Sequence, residues 1–175
     1  MNHKVLISDD IISICYMDTS MYEDVWKNSL DENNRTFVPD EVFETLEEAK
    51  EVVDQIIEWY TSDEGPFIYT VIRKEDNVNL GYVQLVKIDE GYEIGYHIAQ
   101  VFNGQGYATR SVGLFLKYLK ENTSIKEIYG IALAANKASR RVLEKNGFEL
   151  FFEGDGLYQG KKRKIIKTIF SLLIV

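Results

Sequence analysis

Cysteine is almost missing from this chain. Cys15 is the one thiol in 175 residues, so no disulfide can close within it. It lies in the apolar run Ile14-Cys15-Tyr16, where a buried thiol is expected rather than a nucleophile. Histidine is nearly as scarce. His3 and His97 stand far apart, no Cys/His group has metal-ligand spacing, and no metal site is expected. Positive charge is in deficit, with 20 Lys and Arg against 28 Asp and Glu, a net charge of −8. A general nucleic-acid binder would carry a basic footprint, so no nucleic-acid partner is expected. Long apolar runs are also missing. The stretch Ile165–Val175 is interrupted by Lys167, Thr168 and Ser171, is too short to span a bilayer, and reads as a strand. No extended apolar segment precedes Asp9-Asp10, so neither a secretion signal nor a membrane partner is expected, and the chain reads as cytoplasmic.

What is present fits one domain over residues 1–175. Hydrophobic residues make up 45%, enough for a sizeable core. The charge is split along the chain: residues 1–65 hold 17 acidic and 4 basic side chains, residues 66–175 hold 11 and 16. Such a division reads either as a solvated acidic surface or as a fold that meets two ligands of opposite sign.

Periodicity outlines the elements. Residues 11–17 read as a strand, and Tyr22, Val25, Trp26 and Leu30 recur at helical spacing after Asp18-Thr19-Ser20. Asp31 to Arg35 reads as a polar break. Thr45 with Glu48 forms a capping box for a helix with the stripe Leu46, Ala49, Val53, Ile56, Ile57 and Tyr60, ended by Ser62 to Pro66. Phe67–Arg73, Leu80–Ile88 and Tyr92–Ile98 read as an antiparallel meander with short turns. A helix with Val112, Phe115, Leu116 and Leu119 on one face follows Asn103–Thr109. Then come a buried strand at Ile125–Ala134, a helix at Asn136–Asn146 stopped by Gly147, and a strand pair, Phe148–Tyr158 and Lys164–Leu173. The class is α+β with a mixed sheet.

Two motifs carry chemistry. Gly104-x-Gly106 stands between a strand and a helix, where the backbone can approach a phosphate and the helix N-terminus favours an anion. It is no P-loop, because Gly-x4-Gly-Lys-Ser/Thr does not occur. It is no Rossmann turn either, because hairpin-connected strands precede it and no ribose-binding carboxylate ends the next strand. Downstream, Asn136-x-x-Ser139-x-x-Val142-Leu143-Glu144-Lys145-x-Gly147-Phe148 opens a helix at the same end of the sheet. Taken singly, Asn136 reads as an N-cap and Ser139 as an exposed hydroxyl.

Together, in this order and interval, the motifs resemble the GNAT superfamily of acyl-CoA-dependent N-acetyltransferases, across the whole chain and most densely over residues 80–148. The family's Arg/Gln-x-x-Gly-x-Gly/Ala turn aligns with Asn103-x-x-Gly106-x-Ala108. Gly106-Tyr107-Ala108-Thr109, preceded by Glu93-Ile94-Gly95-Tyr96, is similar to the branch of ribosomal-protein N-terminal (alanine/serine) acetyltransferases. The resemblance implies a mostly antiparallel sheet of six to seven strands flanked by about four helices and splayed between the fourth and fifth strands. It implies acetyl-CoA as co-substrate. The turn Asn103, Gly104, Gln105, Gly106, Tyr107, Ala108 and Thr109 would hold its pyrophosphate. Tyr96, His97 and Ile98 would offer a strand edge to the pantetheine arm, with Arg110, Asn136 and Ser139 nearby. A backbone N–H near Ile98 would polarise the acetyl carbonyl.

The implied reaction is direct attack by a primary amine, a peptide N-terminus or a small cationic amine. Glu93 reads as its base, or equally as a charge on the sheet's wet face. The family's usual acid, a Tyr, is replaced by Leu143, which leaves Ser139 or the more distant Tyr158 to meet the leaving sulfur. That departure keeps a second reading open, a non-catalytic acyl-CoA-binding or sensing module. The acceptor rim would hold Asp31, Glu32, Asp40, Glu41 and Glu44 with Trp26, Phe37 and Phe43. A monomer or a homodimer is compatible with these strands.

Overall fold

A computed structural model describes residues 3–62 and 65–173. Eight strands form one sheet, in the order β1-β2-β3-β4-β5-β6-β8-β7. They are β1 Val5–Ser8, β2 Ile12–Tyr16, β3 Phe67–Arg73, β4 Val78–Ile88, β5 Gly91–Ile98, β6 Glu127–Leu133, β7 Glu149–Tyr158 and β8 Lys161–Ser171. All neighbours pair antiparallel except β5 and β6, which run parallel. Five α-helices accompany them: α1 Tyr22–Ser29, α2 Glu32–Phe37, α3 Leu46–Trp59, α4 Tyr107–Asn122 and α5 Lys137–Lys145. Among the described residues no helix is long and apolar enough to cross a membrane.

Local chemistry explains most boundaries. The Thr45 hydroxyl accepts the Glu48 N–H and the Glu48 carboxylate accepts the Thr45 N–H, both at 3.2 Å, which fixes the start of α3. Ala49, Val53 and Ile56 then bury one stripe against Met17 and Met21. The expected stripe of α4, Val112, Phe115, Leu116 and Leu119, is fully buried on the opposite face, against Ile14, Val71, Val83 and Ile94. Alternation along the strands separates the two cores: Val83 and Leu85 face α4, whereas Tyr82 and Ile68 face α1 and α3.

Three features depart from the sequence reading. The sheet has eight strands rather than six or seven, because Val5–Ser8 adds an edge strand paired to β2. Four residues are too few for alternation to announce a strand; the pairing supplies it. Among the described residues there are five α-helices, where about four were expected. The supposed polar break contains α2, started by the Asp31 carboxylate, which accepts the Asn34 N–H at 2.9 Å. The last strand begins at Lys161, three residues before the expected start at Lys164. Of the segment expected to end α3, Asp63 and Glu64 lie outside the described residues, as do Met1 and Asn2.

Gly81 holds β5 close. Its φ is 145°, and a Cβ there would fall 2.0 Å from the His97 carbonyl oxygen, which is backbone and cannot swing aside. Gly81→Ala is expected to cost at least about 2 kcal/mol. Gly104→Ala, which meets nothing within 4 Å but has φ 77°, should cost only about 1–2 kcal/mol. Urea denaturation of both variants checks the order, and equal midpoints would contradict it.

Candidate active site

The parallel ladder between β5 and β6 holds a single register pair, Glu93 with Tyr129. Beyond it the two strands separate, as the expected splay requires. Ala99 donates to the Leu80 carbonyl at 2.8 Å, so the alternation of the antiparallel ladder turns the N–H and C=O of Ile98 and Tyr96 away from β4. They point at the gap that β6 leaves, which is an open strand edge.

At the mouth of this gap lies the glycine turn. Gly104 and Gly106 have φ of 77° and 82°, a conformation that favours glycine, and nothing stands within 4 Å of where their Cβ atoms would be. Gly106 is the N-cap of α4, and no side chain caps the helix. The first N–H groups of α4 therefore face open space, with the helix dipole behind them. These features fit a phosphate-bearing group held by backbone. Tyr107 is anchored from behind, its ring 6.0 Å from the Arg73 guanidinium, and the Thr109 carbonyl accepts from Asn146 at 3.2 Å. Gln105 is exposed. Arg110 has two carboxylate partners of its own, Asp9 at 2.6 Å and Asp10 at 2.9 Å, which tie α4 to the β1–β2 turn.

Behind the turn a cavity of about 370 Å³ runs along the splay. Asn103, Ala108, Asn136 and Ser139 border it near the glycine turn and the start of α5, and Glu93 and Tyr158 border it as well. The Asn136 side chain accepts the Ser139 N–H at 3.0 Å and so caps α5. The Tyr96 hydroxyl donates to the Ser139 carbonyl and meets the Ser139 hydroxyl, each at 2.9 Å, bridging β5 to α5. Leu143 is fully buried against Gly130, where it is core and no acid.

Glu93, Gly95 and His97 share the other face of β5. Gln84 lies over Gly95, where a Cβ would come within 2.4 Å of its amide nitrogen, and its side chain favours the ionised form of Glu41. Glu41 lines the same cavity as Glu93. Burial and then the charge of Glu41 push the Glu93 carboxyl up to about 7, against the pull of Lys167. Burial likewise pushes Glu41 up to about 7, against His97 and the Gln84 hydrogen bond. Burial, with the negative charge of Glu41 and Glu93, raises the Tyr158 phenol to about 12. Burial also keeps Tyr96 protonated. Three titratable groups are thus moved by one shared environment, the pattern of a working site.

Glu41 as the partner of Glu93 escaped the sequence reading, which put it only on an acidic rim. The rim itself divides. Glu44 is exposed and pairs with Arg35 at 2.5 Å, and Glu32 faces solvent. Asp31 caps α2 and takes the Gln100 N–H at 2.8 Å, with His97 at 3.2 Å. Burial opposes it, but these contacts hold the Asp31 carboxyl below the usual range. Spacing alone could not single out Glu41, since the Pro39–Glu41 turn decides which neighbour points inward.

The geometry is that of a cleft with an uncapped helix N-terminus at its mouth, an open strand edge along it, and buried carboxyls beyond. A family model described as an acetyltransferase (GNAT) domain matches residues 18–149, and the chain belongs to that family. It is an acyl-CoA-dependent acetyltransferase, with acetyl-CoA as its co-substrate. No curated protein matches the chain by sequence. Among solved structures it is similar to a GNAT-family acetyltransferase from Bacillus anthracis, at 20% identity, TM-score 0.82, covering 95% of this chain and 98% of that one. It is also similar to RimL, a ribosomal L7/L12 α-N-protein acetyltransferase in complex with coenzyme A, at 17% identity, TM-score 0.79, covering 96% and 98%. A third is the ribosomal-protein-S5-alanine acetyltransferase from Vibrio fischeri, at 20% identity, TM-score 0.76, covering 94% of each chain. At such identities the likeness is one of fold. Among the described residues no group of three or more His, Cys, Asp or Glu could hold a metal ion.

The raised carboxyls have a consequence for stability. Glu93 binds its proton more tightly in the folded state, at about 7, than an ordinary glutamate does at 4.5. The folded state is favoured by this group below pH 4.5, and that contribution is lost as pH rises through 7. Glu93→Gln should therefore raise Tm over the parent at pH 8 by more than it does at pH 4.5. Thermal melts at both pH values test this, and a pH-independent difference would refute it.

Proposed function

We propose that this acetyltransferase moves the acetyl group to a primary amine, a peptide N-terminus or a small cationic amine, by direct attack on the thioester. The observation that carries the reading is Glu93 and Glu41 in one cavity beside the open edge of β5, with no Lys or Arg among the described residues lining it. A cavity so lined suits a group that arrives as an ammonium and must lose a proton.

Each residue has a task. Acetyl-CoA supplies the activated acetyl group. The backbone of Gly104–Thr109 binds its phosphates, the edge at Tyr96–Ile98 aligns its arm, and the Ile98 N–H polarises the acetyl carbonyl. Glu93 takes the proton of the attacking amine. At about 7 it has a usable population of carboxylate at neutral pH and is a stronger base than an ordinary glutamate. Tyr158 gives the proton to the departing sulfur; at about 12 its phenol is fully protonated before the step. Ser139, engaged by Tyr96, holds the start of α5 against β5 and positions that end of the cleft. The fold likeness to acetyltransferases of ribosomal-protein N-termini supports a peptide-like acceptor.

A thiol-release assay with acetyl-CoA over a panel of amines and peptide N-termini tests the reading. Absence of turnover on every acceptor, with acetyl-CoA binding intact by calorimetry, would sink it. With an accepted amine, kcat/KM should rise with pH through an apparent pKa near 7, as a carboxylate base requires. Glu93→Gln should lower kcat by about 10²–10⁴-fold and flatten that limb. Tyr158→Phe should lower kcat by about 10²-fold, and Ser139→Ala by about tenfold or less.

A further inference from the structure

A second cavity adjoins the first, and the chemistry above does not use it. It measures about 240 Å³ and lies between α1, α3 and the sheet. Its walls are apolar: Val25, Phe43, Val52, Ile56, Trp59 and Ile68. Its throat is not. Asn34, Glu41, Tyr82, Gln84 and His97 line both cavities, so the two adjoin there.

The throat also has hydrogen-bonding capacity to spare. The Glu41 Oε2 and Asn34 Oδ1 atoms are buried and have no hydrogen-bond partner. The Asn34 oxygen is an acceptor without a donor, the Glu41 oxygen is one whenever its carboxyl is ionised, and His97 Nε2 in the same throat is likewise without a hydrogen-bond partner. Asn34 cannot turn its amide to help itself, because its Nδ2 donates to the Ser29 carbonyl at 3.2 Å. No Lys or Arg among the described residues lines either cavity. A ligand for this space needs N–H donors at one end and an apolar body at the other.

We propose that the second cavity is the pocket for the acceptor's side group, so that the preferred acceptor is a primary amine with an apolar or aromatic substituent next to the amino group. The amine enters at the throat, between Glu41 and Glu93, and its substituent fills the space against Trp59, Val52 and Phe43. A polyamine or an amino sugar would leave this pocket empty or bury hydroxyl and ammonium groups against hydrocarbon, an unfavourable exchange. The proposal rests on the amine-acceptor reading and narrows it.

The test compares phenethylamine and isoamylamine with ethanolamine, and peptides beginning with Phe or Leu with one beginning with Gly. The first arm asks whether free amines suffice, and the second whether a peptide is the source of the same group. The expected result is a kcat/KM at least about tenfold higher for the apolar member of each arm, carried mainly by KM. Val52→Phe narrows the pocket from a partly exposed helix position and should erase that ratio. Acetyl-CoA affinity by calorimetry confirms that the variant is folded. Binding is read separately from transfer, by saturable quenching of tryptophan fluorescence on titration with phenethylamine, since Trp59 lines the pocket.

A ratio near one in both arms, a ratio that survives Val52→Phe, or no saturable quenching would each overturn the proposal. Saturable binding that Val52→Phe abolishes, with no turnover of any amine, would uphold the pocket and bring down the amine-acceptor reading instead. The two failures are therefore distinguishable.

Discussion

Two parallel strands that meet at one register pair and then part company set the terms for everything else in this molecule. β5 and β6 touch at Glu93 and Tyr129, and past that point β5 presents the N–H and C=O groups of Tyr96 and Ile98 to a gap. Unpaired backbone of this kind is costly inside a sheet, so the gap must be held open by contacts elsewhere. On one side Tyr96 bolts β5 to the start of α5 through Ser139. On the other, β4 follows β5 along its whole length, with Gly81 allowing the closest approach. The result is a slot with a strand edge on one wall and helix N-termini at its mouth. Such a slot suits a long, flexible ligand that carries phosphates at one end and an acyl group at the other.

The electrostatics of the slot follow from the same arrangement. The face of β5 that bears Glu93 also bears Gly95, and the missing side chain lets Gln84 lie across the strand to reach Glu41. Two carboxyls and a phenol thereby share a poorly solvated space. Each raises the cost of charging the others, and each is displaced toward its neutral form. Most carboxyls of the acidic first third of the chain lie outside the cleft. Asp9 and Asp10 hold Arg110, Glu44 holds Arg35, and Asp31 serves backbone N–H groups. Only a few of those carboxyls face the cleft, and there their burial counts for more than their number.

Much of the fold, and the glycine turn at the mouth of the cleft, was legible in the chain. The stripes of α3 and α4, the capping box at Thr45, the meander and the glycine turn depend on local spacing, and local spacing is what a sequence displays. Asn136 as a cap and Leu143 as core could be read the same way. The acceptor side was legible only in part. α2 hid within a run of Asp, Glu and Asn residues that lacks any apolar stripe, its start depending on one carboxylate. The partnership of Glu41 with Glu93 spans residues far apart in the chain and depends on a turn, a glycine and a glutamine acting together. No periodicity encodes that. Arg110 shows the converse: its place beside the turn suggested a phosphate ligand, but the β1–β2 turn that neutralises it came from a strand too short to announce itself.

One carboxylate sits where the two halves of the site join. Asp31 starts α2 through the Asn34 N–H, takes the Gln100 N–H from the loop that leads into the glycine turn, and lies 3.2 Å from His97 on β5. The helix whose Asn34 and Phe37 line the cleft is thus moored to the same segment that leads into the glycine turn. Mechanically, Asp31 is a linchpin. The two ends of the cleft cannot shift independently while it is in place, and their alignment is maintained by hydrogen bonds that cross from one end to the other rather than by the sheet alone.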